Sequence, residues 1–245
     1  TESQMKAMIF AAGRGNRMRP LTDTCPKPLL EVHGRPLIVW HILNLVRAGI
    51  TEIVINHAHL GNKLEEALGD GSVFGATIQY SGENTALETA GGIAKARPLL
   101  GEEPFVAIAS DIYCPYFDFK QVETVLEDND VWGRPHADTK RDVAWLYLVK
   151  NPPFHPGGDF SLHSFTVRNE GEPKWTFSGI GVYRMSMFDS IQPGERVPLG
   201  SILREYIARG QVGGEIYRGE WKNVNTIEEL EALNGSATTF NKKPD

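Results

Sequence analysis

Residues 7–28 read AMIFAAGRGNRMRPLTDTCPKP, and the fold follows from how this stretch divides. The apolar run Ala7–Ala12 predicts a buried strand. It gives way at once to a small-residue loop, Gly13-Arg14-Gly15, and then to Arg17, Arg19 and a stop at Pro20. Lys27 follows, fixed between Pro26 and Pro28. A glycine loop directly after a strand lets backbone N–H groups approach phosphate oxygens. Arg17 and Lys27 add charge that can clamp a triphosphate. A lysine framed by prolines has lost backbone freedom, which suits a group that must meet a charge at a fixed place. A Gly-x-Gly pair alone would be no more than a strand–helix turn; the two cations that follow it point to phosphate.

Outward from this stretch, strand-like and helical patterns alternate. Pro36–Ala48 has helical spacing and a stop at Gly49. Thr51–Asn56 predicts a strand, Leu60–Leu68 a short helix and Ala76–Tyr80 a third strand. Gly91–Leu100 predicts a helix, and Pro104–Ala109 a fourth buried strand with Asp111 just past its carboxyl end. The alternation implies an α/β fold: a doubly wound, mostly parallel, Rossmann-like sheet with helices on both faces. Ligands bind such sheets beyond the carboxyl ends of the strands, where the glycine loop and Asp111 both fall. The second half is less regular. Val143–Val149, Trp175–Tyr183 and Gly214–Tyr217 predict strands, with Trp221–Val224 close behind, and Leu199–Ala208 predicts a helix. Asn151–Asp159 is a Pro/Gly loop, Asp128–Asp142 a polar surface loop and Gly235–Asp245 a flexible tail. One domain is expected over 5–234, with halves of about 5–126 and 143–234 and no linker between them.

The chain has 245 residues and a net charge of −6, from 25 basic and 31 acidic side chains. That balance argues against a nucleic-acid surface and leaves room for a local basic pocket. No apolar run approaches the roughly 18 residues of a membrane span, and Thr1–Gln4 is polar, without a signal-peptide core. The cytoplasm is the expectation. Cys25 and Cys114 are expected as unpaired thiols, and no Cys/His spacing suggests a metal. The histidines form no catalytic grouping.

The pattern Ala11-Ala12-Gly13-x-Gly15-x-Arg17-(x)9-Lys27-Pro28 resembles the signature of the sugar-1-phosphate nucleotidyltransferases, and the resemblance runs through Thr226. The segments INHAHLG at 55–61, GDGSVFG at 69–75 and LETAGGI at 87–93 are similar to N-acetylmuramate-1-phosphate uridylyltransferases; mannose-1-phosphate guanylyltransferases share much of this wording. The resemblance implies transfer of a nucleoside monophosphate from an NTP, UTP favoured, to a sugar 1-phosphate, N-acetylmuramate 1-phosphate favoured. Its partners are then small molecules, with Mg²⁺ as cofactor. Ala12, Gly13, Gly15 and Asn16 would line the nucleotide. Arg17 would hold the β,γ-phosphates and Lys27 the α-phosphate and incoming sugar phosphate. Ser81, in SGENTALETAGG, would read the base, and Asn151 and Gly179 would meet the sugar. His155 and Asp159 are more often turn residues than ligands.

Asp111 would bind the metal. Its usual companion is an aspartate in a Trp-x-Asp-x-Gly-Thr segment, whereas this chain has Trp221-Lys222-Asn223-Val224-Asn225-Thr226. Asn223 stands at the second metal position, a neutral ligand. Asn225 replaces the glycine; Asn tolerates a positive φ, so the replacement is expected to be harmless. Ser110 and Glu88 also stand where glycine is common, and Glu88 matches the muramate-type wording. Three other readings stay open: a mannose or heptose 1-phosphate guanylyltransferase, a nucleotide-sugar binding protein with a weakened metal site, and a dinucleotide-dependent dehydrogenase. The last lacks the third glycine and an acid near Asn56.

Overall fold

The computed structural model describes residues 4–126 and 142–236. The loop expected over Asp128–Asp142 lies outside these apart from Asp142, as does most of the expected tail Gly235–Asp245.

A mixed sheet of nine strands organises the chain. Strand β1 (Ala7–Ala11) lies parallel between β4 (Glu52–His57) and β6 (Phe105–Ala109), and β5 (Thr77–Gly82) extends the parallel part beyond β4. Side chains of β1 alternate between two cores. Ile9 and Ala11 join Ile38 and Ile42 of α2 (Leu37–Arg47) and Leu64 of α3 (Gly61–Leu68) on one face. Met8 joins Ile93 of α4 (Glu88–Leu100) and Leu203 of α5 (Leu199–Ala208) on the other. With both faces covered, every position of the strand is apolar, which is why AMIFAA reads as a continuous run. Cys25 and Cys114 are free, and burial pushes the Cys114 thiol up to about 12.

The strands and helices foreseen from the sequence form within one to three residues of their expected bounds. The second half changes the direction of the sheet. Strand β11 (Lys174–Tyr183) pairs antiparallel with β6 and with β8 (Ala144–Val149). Strand β12 (Val212–Ile216) runs parallel to β8, and β10 (Thr166–Arg168) and β9 (Phe160–His163) close the edge as an antiparallel pair. The mostly parallel character is therefore confined to the first half.

The β9–β10 hairpin has no counterpart in the sequence reading. Its turn residues, Ser164 and Phe165, both adopt positive φ (45° and 66°) without the Asn-Gly or Asp-Gly pair that usually announces such a turn. The two-residue strands β2 (Glu31–Val32) and β3 (Arg35–Pro36) form another small hairpin. Past β6, the short β7 (Ile112–Tyr113) pairs antiparallel with β13 (Lys222–Asn223). Helix α6 (Ile227–Ser236) then starts on a reciprocal cap: Thr226 Oγ1 accepts from the Glu229 N–H at 3.2 Å, and the Glu229 carboxylate accepts from the Thr226 N–H at 3.2 Å.

Candidate active site

Beyond the carboxyl ends of β1 and β6 lie two adjoining clefts of about 570 and 330 Å³. The larger is lined by Ala12, Gly13, Gly15, Asn16, Arg17 and Lys27, all expected at the nucleotide. The smaller is lined by Asp159, Phe177, Ser178, Gly179, Trp221 and Asn223. Asp111 lines both. The one carboxylate expected to bind metal therefore stands at the junction of two ligand spaces, where the centre of a two-substrate transfer has to be.

Local constraints fix the loop after β1. Gly15 has φ of 70°, and a Cβ there would sit 2.8 Å from Thr22 Cγ2. Thr22 Oγ1 donates to the Gly15 carbonyl at 2.7 Å, closing the loop on the short helix α1 (Leu21–Thr24). Arg17 rides on a single 3₁₀ turn, Asn16–Met18, anchored by buried Met18. Lys27 opens a second such turn after Pro26.

Of the three groups expected to do chemistry, Lys27 and Asp111 meet, and Arg17 lines the same cleft. Lys27 Nζ lies 3.4 Å from Asp111 Oδ2, with the lysine side chain 13% exposed and the aspartate 37%. Burial lowers the Lys27 pKa, the positive Arg17 acts in the same direction, and Asp111 opposes both. Behind Asp111, His41 is fully buried, and burial holds its pKa down at about 4, so it is neutral at pH 7.

Asn223 reaches this place through the β13–β7 pairing, which sets it opposite Ile112. The Val224 N–H donates to the Asp111 carbonyl at 2.8 Å, locking the two segments together. Among the described residues, Asn223 Oδ1 is buried without a hydrogen-bond partner. A buried amide oxygen left unpaired is unfavourable unless a ligand completes it.

Three expectations change. Asn225 is not in the positive-φ region; instead its Oδ1 accepts from Lys27 Nζ and from Arg17 Nη2, each at 3.3 Å. The sequence signal was the loss of a glycine next to the metal motif, read as a backbone matter when the side chain is what counts. Ser81 is 7% exposed in β5 and does not line the larger cleft, whose wall there is built by Ala86, Glu88 and Thr89. Glu88 opens α4 at φ of 62° and pairs with Arg196 Nη2 at 2.8 Å on the rim. Asn151 does not line the smaller cleft. Its Nδ2 donates to the carbonyls of Pro156 (3.1 Å) and Lys174 (3.0 Å), and its Oδ1 accepts from Thr176 Oγ1 at 2.8 Å. It therefore ties down the Pro/Gly loop and brings Asp159 to the cleft; Asp159 in turn accepts from His155 (2.9 Å) and from the Phe177 N–H (2.8 Å).

Gly179 lines the smaller cleft as expected. It sits at φ of 87° where the β11–β8 register shifts between Phe177 and Gly181, and a Cβ there would lie 2.8 Å from Ala109 Cβ. Gly179→Ala should cost about 1–3 kcal/mol. The check is the midpoint of chemical denaturation, with a raised KM for the second substrate alongside it.

Residues 6–130 match the model of the nucleotidyl transferase family. The chain belongs to this family. It is 48% identical to the N-acetylmuramate alpha-1-phosphate uridylyltransferase of Neisseria meningitidis, over 95% of this chain and 99% of that protein. It is 37% identical to the mannose-1-phosphate guanyltransferase beta-A of Xenopus laevis, over 92% of this chain but 62% of that longer protein. Among solved structures, apo UDP-glucose pyrophosphorylase covers 98% of the chain with a TM-score of 0.72 at 17% identity, a likeness of fold. HddC from Yersinia pseudotuberculosis covers 96% with the same TM-score of 0.72 at 16% identity. Among the described residues, no helix is long and apolar enough to cross a membrane.

Proposed function

We propose that the protein transfers the uridylyl group of UTP to a sugar 1-phosphate, with N-acetylmuramate 1-phosphate as the acceptor, and releases pyrophosphate. The observation that carries this is the likeness to the Neisseria uridylyltransferase, 48% identical along 95% of this chain and 99% of that protein. A phosphate oxygen of the sugar ester attacks the α-phosphorus as the bond to the β-phosphate oxygen breaks. Such a transfer depends on in-line positioning and charge neutralisation rather than on a nucleophilic side chain. Arg17, which lines the larger cleft, would hold the β,γ-phosphates that depart. Lys27, at the junction beside Asp111, neutralises the α-phosphate and the incoming phosphate. The nucleotide occupies the larger cleft and the sugar the smaller, where Gly179 lets it approach the strand backbone. The proposal carries with it a place in cell-wall recycling and a cytoplasmic location, to which two free thiols are suited.

Mg²⁺ fits the residues present. Among the described residues there is no cluster of three or more His, Cys, Asp and Glu. Asp111 and the unpaired Asn223 oxygen, both lining the smaller cleft, are hard oxygen donors of the kind Mg²⁺ takes together with substrate phosphates and water. When bound, the ion would supply positive charge to the phosphate oxygens. Asn223→Asp should lower the Mg²⁺ concentration needed for half-maximal turnover by about tenfold, since it adds a negative charge beside Asp111. An unchanged Mg²⁺ dependence would remove Asn223 from the metal site.

Pyrophosphate release from UTP or GTP, each with N-acetylmuramate 1-phosphate or mannose 1-phosphate, tests the assignment. Release with UTP and the muramate ester supports it. The likeness to the Xenopus protein favours a second reading, guanylyl transfer to mannose 1-phosphate, which release from GTP would establish. Nucleotide binding without release from any pair would mark a binding protein with a weakened metal site.

A further inference from the structure

Among the described residues, Asn225 is the one side chain that accepts hydrogen bonds from both Arg17 and Lys27. Its Oδ1 lies 3.3 Å from Arg17 Nη2 and 3.3 Å from Lys27 Nζ, and it lines the larger cleft while only 5% exposed. Its own position is fixed from both sides. Its N–H donates to Glu229 Oε2 at 2.6 Å, at the start of α6, and the preceding Val224 N–H is held by the Asp111 carbonyl at 2.8 Å.

We infer that Asn225 is a positioning residue that keeps Arg17 and Lys27 together and open to a polyphosphate chain. Two like charges brought close repel one another, and a neutral acceptor shared between them offsets the repulsion without cancelling either charge. The acceptor also competes for Lys27. Asp111 lies 3.4 Å from Nζ on one side and the Asn225 oxygen 3.3 Å on the other. Without the amide, Lys27 has only the carboxylate to bond, and an ion pair closed on Asp111 withdraws the ammonium from phosphate and occupies the carboxylate as well. An aspartate at 225 would accept the same two hydrogen bonds but neutralise the cations. An amide is thus the group that gathers two cations and leaves their charge to the ligand. The role rests on the nucleotidyl-transfer reading only for the identity of the polyphosphate.

The test is calorimetric titration with inorganic tripolyphosphate, in EDTA so that no metal takes part, on the wild type, Asn225→Ala and Asn225→Asp. The expected result is affinity about tenfold weaker in Asn225→Ala and about a hundredfold weaker in Asn225→Asp, with a smaller salt dependence in the latter. A merely structural role would not rank an isosteric aspartate below alanine. Asn225→Ser, which keeps a shorter acceptor, should fall between the wild type and alanine, and serves if a larger change prevents folding. In turnover with UTP, Asn225→Ala should raise KM for UTP and also lower kcat, since Lys27 closed on Asp111 is withdrawn from the transferring phosphate. Equal tripolyphosphate affinity in all variants overturns the inference, as does aspartate binding as tightly as the wild type. Weakened variants in a protein that turns over no UTP would uphold Asn225 and sink uridylyl transfer. A wild type that binds no tripolyphosphate would overturn the inference and leave uridylyl transfer to the pyrophosphate-release assay.

Discussion

Lys27→Met should abolish transfer while leaving the protein as stable as before, or more so. Methionine keeps the length and the apolar stem and removes only the ammonium. That ammonium lines the larger cleft, 3.4 Å from Asp111 at its junction with the smaller and 3.3 Å from Asn225, where charge on the transferring phosphate has to be met. Removing such a preorganised cation should cost at least about 10³-fold in kcat/KM. Folding is affected in the opposite sense. Burial lowers the pKa of Lys27 in the folded state below its ordinary 10.5. Between the folded and unfolded pKa values the unfolded chain binds more protons, so this residue adds stability as pH rises through that window and detracts from it below. At neutral pH, below both, the buried ammonium opposes folding, and methionine relieves the burden. Thermal midpoints at pH 7 should show the variant equal to or above the wild type. The difference should shrink as pH rises toward 10.5. A variant inactive because it is poorly folded would show the reverse order of midpoints.

How much of this arrangement could be read in advance depended on whether a residue's role is local. The run Ala7–Ala12 declared a strand covered on both faces because Ala7, Ile9 and Ala11 are buried in one core and Met8 in the other. Gly15, Arg17 and Lys27 were legible because strand, loop and cation follow one another within one short stretch. Gly179 was legible as a glycine inside a strand, which marks a bulge or a close approach. The residues that were misplaced have roles set by long-range contacts. Asn151 looked like a hydroxyl-binding amide, but its hydrogen bonds to Lys174 and Thr176 across the sheet use its donor and its acceptor. Asn225 lies 198 residues from Lys27 and 208 from Arg17, and nothing in a local pattern announces an acceptor shared by both. The antiparallel half of the sheet was hidden for a related reason. Strand direction in β11 is set by its pairing with β6 and β8, and the hairpin β9–β10 turns through Ser164 and Phe165, residues that do not favour positive φ.

Asp111→Asn should reduce turnover by about 10²- to 10³-fold and raise the Mg²⁺ needed for activity by at least about tenfold. The substitution is isosteric, and its backbone carbonyl still accepts from the Val224 N–H, so the fold has no reason to change. What changes is charge. Asn223 already supplies an amide oxygen at this place, and with Asn at 111 as well, the pair would offer a cation two neutral donors and no carboxylate. Lys27 would at the same time lose its only anionic partner within 4 Å among the described residues. The charge can be moved rather than removed. In the double variant Asp111→Asn with Asn223→Asp, the net charge of the pair is that of the wild type, but the carboxylate stands on β13 instead of beside Lys27. Mg²⁺ dependence should return most of the way to the wild-type value, since attraction for the ion follows the charge. Turnover should recover less, since Asp111 lines both clefts while Asn223 lines only the smaller. Full recovery of both would make the two positions interchangeable and the junction irrelevant. Recovery of the metal dependence without the rate separates the charge that holds the ion from the place where a carboxylate must stand for phosphate to be transferred.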